Sequence, residues 1–130
     1  MKKRYNVAII GCGGMGEAHI QENYYKENIR FTYACDCDLE RAVMFQRKYG
    51  VDYITSDYKE CISDDKVDIV IIATRPKSHL DILRACIQYH KHVLCEKPMA
   101  TKLKDCQMMV DTAEQMSKKL MIGQNQRFAK

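Results

Sequence analysis

Apolar residues in this chain occur in short continuous runs, and segments with apolar residues at spacings of three and four separate those runs. A continuous apolar run of about 4 to 8 residues predicts a buried strand, whereas spacings of three and four predict an amphipathic helix. The pattern predicts strands at 5–10, 31–35, 51–55, 67–73, 92–95 and 120–123.

Helices are predicted between these strands, and several of their ends carry start or stop signals. Ser56 or Asp57 can cap a short helix. Gly50 is a C-cap for the helix before it, and Thr101 can cap the last helix. The predicted helices span 15–24, 39–49, 57–62, 77–89 and 101–116. Strands that alternate with helices predict an α/β fold with a doubly wound parallel sheet in a single domain.

The first strand runs directly into a G-x-G-x-x-G motif. Gly11 allows a tight turn, Gly13 has no Cβ to keep a pyrophosphate away, and Gly16 lets the following helix pack closely. Unpaired amides at the start of that helix would bind the phosphates. The motif predicts a dinucleotide site of the Rossmann fold, with cofactor contacts from Gly11, Cys12, Gly13, Gly14, Met15 and Gly16.

Asp36 ends the second predicted strand, at the spacing of about 20 residues that such a motif requires. A carboxylate at this position can accept hydrogen bonds from the adenosine ribose, and its charge would repel a 2′-phosphate. NAD is therefore the predicted cofactor, and NADP is the less favoured one, although Arg41 and Arg75 could still reach a phosphate. The alternative is a structural glycine turn beside an ordinary surface aspartate.

The other candidates for chemistry also follow predicted strands. Residues 74–76 follow the fourth strand and residues 96–98 follow the fifth, so both groups lie at the edge that carries the glycine motif. Pro98 cannot continue the hydrogen bonding of the sheet, so Lys97 would project over the crevice. An ammonium there would stabilise charge on a substrate oxygen during hydride transfer, which makes Lys97 the candidate catalytic residue. A surface lysine at a strand end is the alternative.

Composition excludes several other classes of protein. The chain is 46% hydrophobic and 29% charged, which is ordinary for a globular protein. No apolar run is long enough for a membrane span or a signal peptide. The net charge of +4 comes from dispersed residues, which argues against nucleic-acid binding. The seven cysteines form no Cys-x-x-Cys pair, so neither a disulfide scaffold nor a zinc ribbon is expected, and a reducing cytoplasm is predicted.

One cysteine and four histidines are also weighed as candidates for chemistry. Cys12 lies near a helix start, which could favour its thiolate, although packing against the backbone is the preferred interpretation. His19 is expected to pack or face solvent, and His79 is expected to cap a helix on the crevice side. His90 and His92 have no cysteine or acid at useful spacing, so no metal site is predicted.

These motifs together resemble the N-terminal half of the Gfo/Idh/MocA oxidoreductases, the group of glucose–fructose oxidoreductase and inositol dehydrogenase. The resemblance runs from about Tyr5 to the end of the chain. The blocks that carry it are 11–16 with His19, Asp36 with 39–42, 67–74 with Pro76 and His79, 91–98, and the closing Asn125, Arg127 and Phe128.

The resemblance implies that Lys97 contributes to catalysis and that the loop, the acid and the strand-end threonine surround a dinucleotide. Arg75 stands where proline is commoner, and His90 replaces the usual helix-ending glycine. The absence of an arginine directly after Asp36 favours NAD. With the loop residues and Asp36, the expected cofactor contacts are Cys37, Ala73, Thr74, Arg75, Pro76, His79, Glu96 and Lys97.

The resemblance also predicts the domain organisation. Residues 1–124 are expected to form the NAD(P)-binding domain, and 125–130 to begin the connection to a C-terminal substrate domain that this sequence lacks. Such a chain would be an excised domain or a truncated gene product. The expected function is hydride transfer to or from a sugar, polyol or related substrate, with little activity from this chain alone. A stand-alone module that senses NAD(H) is the alternative, and a homo-oligomer is left open.

Overall fold

Parallel strands and helices alternate along the chain in a computed structural model that describes residues 4–96, 103–115 and 120–123, the last of these by backbone only. The strands are β1 (Tyr5–Ile10), β2 (Ile29–Cys35), β3 (Tyr53–Thr55), β4 (Ile69–Ile72), β5 (His92–Glu96) and β6 (Leu120–Gly123). The helices are α1 (Gly14–Asn23), α2 (Leu39–Tyr49), α3 (Tyr58–Ile62), α4 (His79–Gln88) and α5 (Leu103–Gln115).

The described strands form one sheet in the order β3-β2-β1-β4-β5-β6, and every pairing is parallel. β1 pairs with β2 on one side and with β4 on the other, with Ile10 beside Cys35 and Ile72. The order of the strands therefore reverses direction between β1 and β4. In an open parallel sheet, ligands bind outside the carboxyl ends of the strands at such a switch point.

Both faces of the sheet are covered. Alternate residues of β1 belong to two separate core clusters, because successive side chains of a strand point to opposite faces. Val7 and Ile9 pack with α1 and α2, which contribute Ile20 and Phe45. Ala8 and Ile10 pack on the other face, where α3, α4 and α5 contribute Ile62, Leu83 and Met109. The predicted doubly wound parallel sheet is confirmed.

Element boundaries differ from the predicted ones at several places. β3 and β4 are shorter than their apolar runs, since pairing begins only at Tyr53 and Ile69. The helix predicted from residue 77 begins as a 3-10 turn at Pro76–Ser78, where the fixed φ of proline suits a first turn. Gly50 ends α2 in the left-handed conformation with φ +72°, as predicted for a C-cap. The predicted cap at Thr101 lies outside the described residues.

His90 adopts a left-handed backbone conformation with φ +62°, and it is the one non-glycine residue of the described part of the chain to do so. A side chain with a Cβ is strained there. The predicted conformational cost of histidine at this position therefore has a structural basis. Separately, none of the described helices has the length and apolarity that crossing a bilayer requires.

Candidate functional site

The turn between β1 and α1 requires glycine at two positions. Gly11 has φ +104°, and a Cβ on it would lie 2.5 Å from the carbonyl oxygen of Ala73. A Cβ on Gly16 would overlap the carbonyl oxygen of Gly11. The amide of Gly11 also donates to the Cys35 carbonyl at 2.8 Å, which holds the turn against β2. Gly16 thus packs on the turn itself as well as on the strand below it.

Gly13 differs from these two glycines because its surroundings are open. A Cβ there would meet only the Arg41 guanidinium, at 3.9 Å. Gly13 is also the N-cap of α1, and no side chain caps that helix. By contrast, Asp38 and Asp57 cap α2 and α3 by accepting backbone amides. The amides at the start of α1 are therefore available to an anionic group.

Asp36 connects the glycine turn to the end of β2. Its Oδ2 accepts the amide of Cys12 and its Oδ1 accepts the amide of Asp38, both at 2.8 Å. The side chain is half-buried, and each carboxylate oxygen retains a further lone pair. The structure thus brings the predicted acid and the predicted phosphate loop into direct contact. The exposed Cys37 follows at the rim.

Cys12 does not behave as an activated thiol. Its side chain is buried, and its Sγ donates to the Cys35 carbonyl at 3.5 Å. Burial, reinforced by the neighbouring Asp36 carboxylate, raises the pKa of the Cys12 thiol to about 12. The thiolate considered from the sequence is therefore wrong, because desolvation and a like charge outweigh the helix start. Cys12 serves the site through its backbone amide.

Hydrogen bonds to β1 and α4 fix the segment that follows β4. The amide of Ala73 donates to the Ile10 carbonyl at 2.7 Å, so the segment lies beside the glycine turn. His79 is fully buried, and its Nε2 donates to the Thr74 carbonyl at 2.8 Å. The Thr74 and Ser78 hydroxyls are hydrogen-bonded at 2.8 Å. The predicted capping role of His79 is wrong, because Ser78 is the N-cap of α4. The imidazole instead positions the Thr74 backbone at the site edge, and its contact with a cofactor stays a prediction.

Two further predicted contacts, Arg75 and Pro76, follow Thr74 at the same edge. Arg75 is exposed and its carbonyl accepts the Ser78 amide at 3.1 Å, which closes the turn. Met15 and Gly14 are exposed at the start of α1. The structure therefore gathers the predicted residues from 11 to 16, 36, 37 and 73 to 76 at one edge of the sheet.

Glu96 ends β5 at this edge, and its side chain is almost fully buried. Oε1 of Glu96 contacts Nε2 of His19 from α1. Sequence reasoning assigned His19 to packing or solvent and missed this pair. The alternation of β5 was the available signal, because Glu96 shares a face with Leu94, which packs in the α1 and α2 cluster. Lys97 and Pro98 lie outside the described residues.

Within residues 4–96 and 103–115, no three histidine, cysteine or acidic side chains come together in a way that could hold a metal ion. The arrangement that the structure does contain suits an anion at α1 beside a hydroxyl-bearing group at Asp36.

Comparisons with known proteins also indicate an NAD-binding domain. A family model described as "Oxidoreductase family, NAD-binding Rossmann fold" (GFO_IDH_MocA) matches residues 5–124. Myo-inositol 2-dehydrogenase of Thermotoga maritima is 32% identical over 123 residues, which cover 94% of this chain and 36% of that protein.

Solved structures give the same result. An NAD-binding protein from Listeria innocua superposes with a TM-score of 0.88 at 32% identity, covering 97% of this chain and 37% of that one. GenD2 from gentamicin A biosynthesis, solved in complex with NAD, has a TM-score of 0.89 at 25% identity, covering 95% and 35%. The chain spans 34% to 38% of the length of the first curated relatives that it matches.

Proposed function

The chain belongs to the Gfo/Idh/MocA oxidoreductase family, and we propose that it binds NAD(H) as the nucleotide-binding part of a dehydrogenase. The substrate class that we propose is a sugar, polyol or related compound, oxidised or reduced at a hydroxyl or carbonyl carbon. Membership confirms the family, the NAD-binding Rossmann domain and the oxidoreductase class that the sequence predicted. The observation that carries the proposal is the open, uncapped start of α1 beside Asp36.

The described residues fit a dinucleotide in its adenosine and phosphate parts. Gly13 leaves room for close approach, and the amides of Gly14 and Met15 lie at the uncapped end of α1, where the helix dipole favours an anion. Asp36 has acceptor capacity left for two ribose hydroxyls after its two amide contacts. Gly11 and Gly16 keep the turn tight enough for these groups to converge.

NAD is preferred over NADP in this proposal because of the charge at Asp36. A 2′-phosphate would lie against that carboxylate, and like charges at such a distance are unfavourable. Arg41 is a positive charge beside the loop: its Nε lies 3.8 Å from Asp38, and its guanidinium lies 3.9 Å from where a Cβ on Gly13 would be. Arg41 therefore faces the pyrophosphate side of the loop. The NAD complex of GenD2 supports the same choice.

The substrate side is proposed from the sequence and from relatives. A bound NAD(H) supplies the hydride acceptor or donor. Lys97, next in sequence to Glu96, is proposed to hold the substrate oxygen and stabilise its charge. The polyol class is supported by the Thermotoga relative, which is named for myo-inositol. The chain spans about a third of the length of such relatives. We therefore propose that this chain by itself binds NAD(H) but lacks full catalytic activity.

The compartment, the domain limits and the assembly also belong to the proposal. All seven cysteines lie in the described residues and are free thiols, which supports a reducing compartment such as the cytoplasm. The proposed domain limits are 1–124 and 125–130, and the family match to residues 5–124 supports the first of these ranges. An assembly of several copies is still a prediction.

The test is a titration of the purified chain with NADH and with NADPH, in which the fluorescence of the cofactor reports binding. Asparagine at position 36 offers one acceptor oxygen where the carboxylate offers two, so Asp36→Asn should weaken NADH binding by at least about tenfold. The matched control is Asp52→Asn. Asp52 also accepts two hydrogen bonds, from Arg30, but at the opposite edge of the sheet, and this change should leave NADH affinity unaltered.

Three outcomes would count against the proposal. Preference for NADPH would overturn the cofactor choice, and equal losses in both asparagine variants would remove the site from the Asp36 edge. The same preparation is assayed with inositols and sugars. Appreciable turnover by this chain alone would contradict the expected inactivity, whereas binding without turnover is also what the alternative, a non-catalytic NAD(H) sensor, predicts.

A further inference from the structure

The contact between His19 and Glu96 joins the phosphate-loop helix to a distant strand. The Glu96 side chain is 3% exposed and the His19 side chain is 15% exposed. A carboxylate that is so far removed from water needs hydrogen-bond donors, because an unpaired buried charge is strongly unfavourable. Nε2 of His19 contacts Oε1 of Glu96 and supplies a donor across 77 positions of sequence.

Helix α1 is therefore held from two sides. Glu17, two residues before His19, accepts hydrogen bonds from Lys48 at 3.0 Å and from Tyr49 at 2.9 Å, both on α2. Residues two apart on a helix do not face the same neighbour. Glu17 thus ties α1 toward the β2 side of the sheet, and His19 ties it toward β5.

Because of the strand order, the β2 side and the β5 side of α1 would contact different parts of a bound dinucleotide. Asp36 follows β2, on one side of β1, whereas Glu96 ends β5, beyond β4 on the other side. A dinucleotide with one ribose at Asp36 and its pyrophosphate at Gly13 must direct its second nucleotide over β4 and β5. Neighbouring strands are about 4.8 Å apart, so Glu96 lies within two strand spacings of the turn.

On the basis of the proposed NAD(H) site, we infer that His19 is a positioning residue for the nicotinamide half of the cofactor. Its contact fixes the Glu96 carboxylate, and with it the end of β5, relative to the helix that meets the pyrophosphate. Lys97 is the next residue in the sequence, so the contact acts directly before the proposed catalytic lysine. The adenosine half depends on Asp36 and the turn, and does not require this contact.

The inference predicts that substitution of His19 weakens NADH binding but not ADP binding, because ADP shares only the adenosine and pyrophosphate part of NADH. NADH and ADP are each titrated calorimetrically against wild type, His19→Ala and His19→Gln. His19→Ala should weaken NADH binding by about tenfold, because the end of β5 is no longer fixed for the nicotinamide half, and leave ADP binding within about twofold of wild type. His19→Gln retains an N–H donor toward Glu96 and should restore most of the NADH affinity.

Glu22→Ala, an exposed change on the same helix, is the control and should bind both ligands as wild type does. Thermal unfolding shows whether each variant is folded, and His19→Leu, which keeps apolar volume without a donor, replaces His19→Ala if that variant is not. Equal losses for NADH and ADP, or no loss for either, overturn the inference while wild-type binding stands. A wild-type chain that binds neither ligand overturns the proposed function and this inference with it.

Discussion

The two edges of the sheet both carry charged side chains, but they differ in how much of their hydrogen-bonding capacity the protein itself uses. At the carboxyl edge, Asp36 and the start of α1 have hydrogen-bonding capacity that the protein does not use up. At the amino edge, Lys91 is 4% exposed, and its Nζ donates to the carbonyls of Asp64 at 2.7 Å and Val67 at 2.6 Å. One edge offers donors and acceptors to a ligand, whereas the other uses its lysine to hold the backbone.

The contrast matters because the amino edge also has a concave surface. A cavity of about 360 Å³ lies there, lined by residues that include His90, Lys91 and Asp68. Oδ2 of Asp68 accepts the Asn6 amide at 2.9 Å, so this carboxylate ties β1 to the approach of β4. Concavity alone does not identify a binding site. The comparison teaches that unused hydrogen-bonding capacity at a strand-order switch is the better indicator.

The largest effect that tests this comparison is expected at the carboxyl edge, from Gly16→Ala. The added Cβ would overlap the Gly11 carbonyl oxygen, which is backbone and cannot move aside. We expect a loss of about 3 kcal/mol in the free energy of unfolding, together with loss of NADH binding. Urea denaturation measures the first and fluorescence titration the second.

Gly14→Ala is the control for that change, since a Cβ at Gly14 meets nothing within 4 Å. Alanine in the first turn of α1 should leave stability unchanged or raise it by up to about 1 kcal/mol. Equal destabilisation by both alanines would show that the turn does not depend on the close approach at Gly16.

The next effect belongs to the amino edge. Lys91→Met keeps the apolar stem but removes the donor from the carbonyls of Asp64 and Val67, so we expect a loss of about 2 kcal/mol in unfolding free energy. NADH affinity should stay at the wild-type value, because the proposed cofactor site lies at the other edge. The exposed Lys59→Met is the control and should change stability by less than about 0.5 kcal/mol. Weaker NADH binding in Lys91→Met would break the separation of the two edges.

Sequence patterning predicts most of the fold because buried parallel strands are nearly continuous apolar runs. β1 and α2 have the predicted bounds, and Gly50 adopts the predicted left-handed cap. The parts of the site that form one local motif, such as the glycine turn, are also visible in the sequence. The loop geometry follows from glycine spacing, which is a property of neighbouring residues.

What the sequence could not predict depends on burial and on long-range pairing. Lys91 looks like a surface residue until the connection between α3 and β4 brings two carbonyls to its side chain. His19 and Glu96 are too far apart in sequence for any spacing rule to join them. For Cys12 the sequence favoured packing but left a thiolate as the alternative, and burial together with Asp36 decides against that alternative by raising the pKa of the thiol. In each case the tertiary environment decides the chemistry of the side chain.

The smallest expected effect is the pH dependence that Lys91 confers on stability. Burial lowers the pKa of Lys91 below its ordinary value of 10.5. Between the lowered pKa and 10.5, the unfolded chain binds more protons than the folded chain, so this residue makes stability rise with pH in that window. The stability difference between wild type and Lys91→Met should therefore widen as pH rises toward 10.5. Urea denaturation of both proteins at each pH measures this difference. If the two stability curves run parallel, the Lys91 ammonium is not desolvated, and the charged groups at both edges of the sheet are exposed to water.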